Sequence, residues 1–339
     1  MTTKGLLMRA ALRALFAAFL LLGLVISSGS GPARADTPDA QNWPKPRFVS
    51  HNVCGAACAI YEGSKDAWRN KIVNAMESWD ADLVMLQEMC HGQWTLLRDS
   101  LEDRPTSNQY DSVWGATLSS TGGCAKWGTD TRYGLAIFAK GAPGTINNGT
   151  RSVNFLPEET PGEDRILLCA RATVTGRMVR ACNTHIDYSY KVIADPDPKV
   201  PPTILNNPKA QIQKVADITR GFANGGDPVV LAGDFNQLPK DVDMAPLYTH
   251  SGGTGVFQEV DENDKDYFTG ADCPQSGDRC RSGEATAEPG CSPKVSEPGK
   301  IDYIFLSYYW FTTVRGDSAA CTPGMSDHHL LRGAAAWEH

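Results

Sequence analysis

The chain has 339 residues, 41% of them apolar, and a formal net charge of −7, which supplies one sizeable core and excludes an indiscriminate basic coat on nucleic acid. A nuclease is not excluded, because a metal ion and a few local Arg or Lys can supply the positive charge a phosphate needs. Ten cysteines, an even number, fit an oxidising compartment and disulfides; zinc is the weaker reading, since Cys54-x3-Cys58 and the Cys273, Cys280, Cys291 group lack histidines paired at ligand spacing.

Lys4, Arg9 and Arg13 precede an uncharged apolar run, Ala14 to Ile26, and Ala33-Arg34-Ala35 places small residues where a signal peptidase reads. The run is short and wrongly flanked for a membrane span. The expectation is a signal peptide over 1–35, cleavage after Ala35, and a secreted, monomeric chain of one domain, 36–339, with no stable membrane anchor.

Residues 36–46, with three prolines, lead into a strand ending at Asn52. Ser64 caps a predicted helix whose Trp68, Ile72, Met76 and Trp79 share a face, and Asp80-Ala81-Asp82 stops it before the buried strand Leu83 to Glu88. Trp94, Leu97 and Leu101 predict a short helix, Tyr110 to Ala116 a strand, and Tyr133 to Lys140 a buried strand led by a tyrosine. Strand patterns follow at Ser152 to Leu156, Arg165 to Val174 and Met178 to His185. The last two read as a hairpin about Thr175-Gly176, and a two-residue turn there sets Cys169 opposite Cys182, predicting a disulfide.

Ala194 to Pro202 reads as a proline-rich loop. Asn207-Pro208 then starts a helix, cap followed by first-turn proline, with Ile212, Val215, Thr219 and Phe222 on one face until Gly225-Gly226. Val229-Val230-Leu231-Ala232 reads as a strand buried on both faces, and Gly233 releases the backbone to present Asp234 and Asn236 at its carboxyl end. Residues 261–299 hold Gly, Pro, Ser, charges and three cysteines, and read as a disulfide-pinned surface insertion. Strands at Ile301 to Leu306, Trp310 to Val314 and His328 to Trp337 close the chain. Strand and helix alternation in the first half, with hairpins in the middle, predicts an α/β fold: a four-layer sandwich of two mixed β-sheets packed face to face, with helices outside.

The chemistry-bearing residues recur at the ends of apolar runs. Each alone has a plainer reading: Glu88 as a capping or ion-paired carboxylate, Asn52 and Gly233 to Asn236 as turn residues, Tyr133 as a core aromatic. In order they read as an Asn ending the first strand, Leu-Gln-Glu, Tyr-Gly-x-Ala-Ile, Thr-His, Gly-Asp-Phe-Asn, Asp-Tyr-Ile-Phe and Ser-Asp-His. Together they resemble the endonuclease/exonuclease/phosphatase superfamily, the fold of pancreatic deoxyribonuclease, abasic-site endonucleases, bacterial sphingomyelinases and inositol polyphosphate 5-phosphatases.

The resemblance implies that Glu88, helped by Asn52, holds a divalent metal, Mg2+ or Mn2+, with Asp327 in the metal's shell; magnesium's preference for a few hard oxygens agrees. It implies that Asp234 positions or deprotonates the attacking water and that Asn236 holds a nonbridging phosphate oxygen. His328 becomes the second acid-base group, oriented by Asp302. His185 contacts the phosphate or assists the leaving group, as in the sphingomyelinase and deoxyribonuclease branches, and Tyr133 sits near the phosphate. His329, the next residue on the strand, points to the opposite face and reads as structural. Cys54, Cys58 and Cys90 depart from the family pattern by putting disulfides beside the site.

The implied reaction is metal-assisted, in-line hydrolysis of a phosphate ester. The expected substrate is nucleic acid, met by Arg132, Lys126 and Arg165 in loops. A phospholipid substrate, as for a sphingomyelinase-like phospholipase C, is the alternative and turns on Tyr308-Tyr309-Trp310-Phe311, which read here as strand and core; an exposed aromatic pair would reverse the ranking. A catalytically silent binding protein is a third reading, disfavoured because every expected acid, amide and histidine is present.

Overall fold

Most of the strands alternate two sets of apolar residues, and each set finds a different partner. The computed structural model describes residues 42–157, 162–188, 208–263, 281–291 and 295–338; the expected signal peptide, the 194–202 loop, the cap Asn207, and Cys273 and Cys280 lie outside the described residues.

One sheet comprises β1 (Arg47–Asn52), β2 (Leu83–Cys90), β3 (Tyr110–Leu118), β4 (Tyr133–Lys140), β11 (Phe311–Ala319) and β12 (Leu330–Trp337), in the order β11-β12-β1-β2-β4-β3. The other comprises β5 (Ile146–Phe155), β6 (Ile166–Val174), β7 (Arg177–His185), β8 (Val229–Asp234), β9 (Phe257–Glu259) and β10 (Asp302–Ser307), in the order β5-β6-β7-β8-β10-β9. The helices are α1 (Lys65–Trp79), α2 (His91–Glu102) and α3 (Pro208–Asn224). Ser64 Oγ accepts from the Ala67 N–H at 3.2 Å and caps α1 as expected, and Asp80 ends it in a left-handed turn.

Leu83, Met85, Leu135 and Ile137 of the first sheet meet Val230, Ala232, Ile304 and Leu306 of the second in the seam between them. The alternate residues Val84, Leu86, Ala136 and Phe138 pack under Trp68 and Ile72 of α1 and Leu97 of α2. Val229, Leu231, Tyr303 and Phe305 pack under Ile212 and Val215 of α3. Three apolar seams therefore hold four layers, the expected sandwich. Among the described residues no helix is long and apolar enough to cross a membrane.

Strand direction creates the functional edge. β1 pairs with β2 in parallel, as β7 does with β8, and their neighbours β12, β4 and β10 run antiparallel to them. The carboxyl ends of β1, β2, β7 and β8 therefore meet the amino ends of β4, β10 and β12 at one rim. Register completes the placement, since Asp234 lies opposite both His185 and Asp302.

Thr175 and Gly176 take φ values of 46° and 82°, the left-handed pair a tight hairpin requires. Cys169 consequently pairs with Cys182 across β6 and β7 and is bonded to it. Cys54–Cys58, Cys90–Cys124 and Cys291–Cys321 are also bonded. Within the described part of 261–299, Ser282, Thr286 and Ala287 are buried, and Cys291 reaches outside the segment for its partner. Next to it, Lys300 Nζ is buried against Glu259 Oε1 at 3.3 Å and Asp261 Oδ2 at 3.1 Å.

Beneath the rim a buried amide pair carries polar contacts across the inter-sheet seam. Gln87 Nε2 donates to Asn183 Oδ1 at 2.8 Å, and Asn183 Nδ2 donates to the carbonyls of Leu86 and Ala136, each at 2.9 Å. Both amides are fully buried. Gln87→Leu should strand the Asn183 oxygen and cost about 1–3 kcal/mol in urea unfolding. The double variant Gln87→Leu, Asn183→Leu should cost less than the sum of the single variants; additive losses would mean that the two amides act independently.

Candidate active site

At the rim Asn52 holds two carboxylates from different sheets. Its Nδ2 donates to Glu88 Oε1 and to Asp234 Oδ2, each at 3.1 Å, while its Oδ1 accepts from the Cys54 N–H at 3.0 Å. Glu88 sits where the β2–β4 register slips, at φ 56°. A non-glycine residue there costs about 1–3 kcal/mol and persists only when its surroundings over-determine it. Tyr133 is buried and hydrogen-bonded to Glu88; burial, Glu88 and Glu163 hold its phenol well above the usual range.

Asp234 Oδ2 is the point of convergence. Besides Asn52 it faces His185 Nε2 at 3.5 Å and His328 Nε2 at 3.7 Å, and Asp234 Oδ1 accepts the Asn236 N–H at 2.9 Å. Burial and Asp302 push Asp234 up to about 7 against the pull of His328, Asn52 and the Asn236 N–H. His328 Nδ1 bonds Asp302 Oδ2 at 2.8 Å. Burial opposes charge on His328, but Asp302 and Asp234 outweigh it and raise His328 to about 10. The carboxylate Asp302 is itself placed by Thr286 Oγ1, which accepts its N–H at 2.9 Å.

On the other flank His185 Nδ1 lies 3.1 Å from Arg165 Nη1, and burial, Arg165 and His328 depress the imidazole well below its usual range. Asn236, at φ 51°, donates from Nδ2 to the Ile186 carbonyl at 2.9 Å, with the same nitrogen 3.3 Å from His185 Nε2.

The structure thus brings Asn52, Glu88, Tyr133, His185, Asp234, Asn236, Asp302 and His328 together. Asp327 stands at the edge, within 4.8 Å of the Cys54 and Cys58 sulfurs. His329 turns away as expected, its Nδ1 on Ser318 Oγ at 3.1 Å and its Nε2 beside Glu288. Arg165 is not a loop residue awaiting a phosphate: it is 8% exposed, with Nε on Asp187 Oδ1 at 2.6 Å and Nη1 3.4 Å from Glu163. Lys126 Nζ is likewise engaged, by the Ala56 and Cys58 carbonyls, and Arg132 pairs with Asp130.

Several contributors lie within or beside the motifs without a role assigned to them. Gln87 and Asn183 form the floor, and Ser326 ties the His328 segment to β1 through the Asn52 carbonyl at 2.5 Å. His51 is buried, donates from Nδ1 to the His329 carbonyl at 3.2 Å, and is lowered by burial to about 4. The charges of Glu163 and Asp187, each two residues from Arg165 or His185, were the available hint that Arg165 would be drawn inward.

The donor set fits a hard divalent cation. Asp234 and Asp302 present carboxylate oxygens within 4.8 Å of each other, and Asp302 Oδ1 is buried with no hydrogen-bond partner among the described residues. Glu88 adds a third carboxylate through the Asn52 bridge, so negative charge exceeds what His328 offsets. Asn52 turns its N–H groups, not its carbonyl oxygen, to the carboxylates.

Residues 49–332 match the family model described as "Endonuclease/Exonuclease/phosphatase family". Among solved structures, truncated Caenorhabditis elegans TDP2 is 16% identical with a TM-score of 0.54, covering 86% of this chain and 96% of that one. The human nocturnin catalytic domain with bound sulfate is 15% identical, TM-score 0.56, covering 89% and 100%. The mannosyl-6-phosphatase of Bacteroides thetaiotaomicron is 16% identical, TM-score 0.53, covering 86% and 100%. At such identities these likenesses speak to the fold alone. A comparison with curated proteins finds no match.

The proton affinities predict a pH signature of stability. A histidine raised in the folded state stabilises fully below the pKa of the free ring, 6.5, and that stabilisation drains as pH rises toward 10. Asp234, raised from 3.8 to about 7, withdraws stability in an earlier window. Above pH 7, in chelator, the thermal midpoint should therefore fall more steeply for the native protein than for His328→Gln; parallel curves would show that His328 gains no proton affinity on folding.

Proposed function

The chain belongs to the endonuclease/exonuclease/phosphatase family, whose members hydrolyse phosphoric esters, and on that premise we propose that it is a secreted, divalent-metal-dependent phosphodiesterase acting on nucleic acid. The observation that carries the reading is the convergence of Asn52, His185 and His328 on one oxygen of Asp234. A buried carboxylate brought close to neutrality can take the proton of an attacking water while neighbouring donors hold the phosphoryl oxygens. His328, charged and steadied by Asp302, is the group able to return a proton to the leaving oxygen. Asn236 and His185 form the wall on which a nonbridging oxygen would rest. Mg2+ or Mn2+, held by Glu88 with Asn52 and Asp327 near it, would supply electrostatic stabilisation of the developing charge.

The exposed aromatics bear on the choice between nucleic acid and lipid. Tyr308 and Tyr309 are 58% and 66% exposed, not strand and core as expected; only Phe311 is buried. The turn joining β10 to β11 lifts them into solvent, the Trp310 N–H closing on the Ser307 carbonyl at 3.1 Å. Yet β10 begins at Asp302 in the site and ends at Ser307, so the pair lies on the order of 15 Å along the strand from the chemistry. A bilayer gripped there would stand at the wrong end of the sandwich, which supports a soluble polymer over a membrane lipid. The disulfides support an oxidising destination.

The test is parallel assay of plasmid DNA, RNA, sphingomyelin, a bis-aryl phosphodiester and a sugar monophosphate, each with magnesium and with chelator. Nucleic acid should be cleaved only with magnesium. Turnover of sphingomyelin alone would move the assignment to a phospholipase C, and silence on every ester would favour a binding protein. In the active assay Glu88→Gln should recover at high magnesium, whereas His328→Ala should lose about a hundredfold or more at any concentration.

A further inference from the structure

The two histidines facing Asp234 have opposite neighbours. His328 has a carboxylate on its far nitrogen, at 2.8 Å; His185 has a guanidinium, at 3.1 Å. Arginine has only donors, so Nδ1 of His185 must accept, and the one proton of the neutral ring then resides on Nε2. Arg165 is held against turning away by Asp187 at 2.6 Å and Glu163 at 3.4 Å.

The Nε2 side carries a second constraint. Asn236 Nδ2 stands 3.3 Å away, and its amide cannot be reversed without losing the 2.9 Å bond to the Ile186 carbonyl. An Nε2–H and an amide N–H therefore face each other, and the Asp234 oxygen at 3.5 Å is a long acceptor for the ring alone. Two donors converging without a shared acceptor describe a seat for an anionic oxygen.

We propose that Arg165 is a positioning residue that locks His185 as an Nε2–H donor, so that His185 and Asn236 form a two-donor clamp on a phosphoryl oxygen and proton transfer is left to His328. The identity of that oxygen rests on the phosphodiesterase reading; the lock does not. His185 thereby holds charge and does not shuttle protons.

Long-range proton–nitrogen NMR of the 15N-labelled resting protein reads the lock directly, with His185 signals assigned by their loss in His185→Gln. The expected ring carries a proton on Nε2 and none on Nδ1; protonation on Nδ1 would overturn the proposal. Arg165→Met, of similar length without donors, should let the ring mix tautomers, and Arg165→Lys should partly restore the lock. An unchanged ring in Arg165→Met would remove Arg165 from the role. Inorganic phosphate should shift the His185 Nε2 signal in the native protein and much less in Asn236→Ala; an equal shift in both would dissolve the clamp. On the active substrate Arg165→Met should lower kcat on the order of tenfold or more with KM little changed, as for a group that acts on developing charge. Failure to hydrolyse any ester would sink the phosphodiesterase reading while the resting-state spectra still decided the lock.

Discussion

The clasp between Gln87 and Asn183 is the constraint on which the rest depends. Asn52, Glu88, Tyr133 and His328 come from one sheet or its edge, and His185, Asp234, Asn236 and Asp302 from the other. Apolar burial pulls the sheets together but has no direction, so a seam of Leu, Ile and Val tolerates sliding. A buried amide pair whose single mutual bond crosses the seam, with Asn183 Nδ2 also held by the carbonyls of Leu86 and Ala136, removes that freedom just under the rim. Only with the sheets held in one placement can Asn52 span Glu88 and Asp234, or His328 reach Asp302.

Electrostatics then sorts groups of the same type into different work. Glu88, Asp234 and Asp302 are all carboxylates, yet Asp302 is committed to His328, Asp234 is desolvated until its proton affinity nears neutrality, and Glu88 bonds Tyr133 and Asn52. The two imidazoles divide likewise, one beside an acid and one beside a base. Pairs whose environments drive their proton affinities apart are what general acid-base chemistry requires.

The framework and the principal side chains were legible because their signals are local. Continuous apolar runs placed β2, β4, β8 and β10, and Thr175-Gly176 set the Cys169–Cys182 register without distant information. Edge strands were harder: β5 runs Ile146–Phe155 and β11 runs Phe311–Ala319, longer than expected, because their half-exposed stretches carry polar residues without alternation. Arg165 was misread because the acids and imidazole that bury it meet only after β6 and β7 pair. Gln87 looked like part of a strand-end motif, and its partner lies in the other sheet. Tyr308 and Tyr309 looked like a strand continuing because aromatic propensity says nothing about a turn two residues wide.

The order of strands in the first sheet has a consequence in time. β1 lies between β2, its near neighbour in the chain, and β12, the last strand, and the segment before β12 delivers His328. A polypeptide emerging from the ribosome therefore presents Asn52 and Glu88 long before β1 has a partner on its other side. The rim is completed by a segment that follows every other contributor in the chain, so a polypeptide that has not yet reached His328 leaves Asp302 without its imidazole partner.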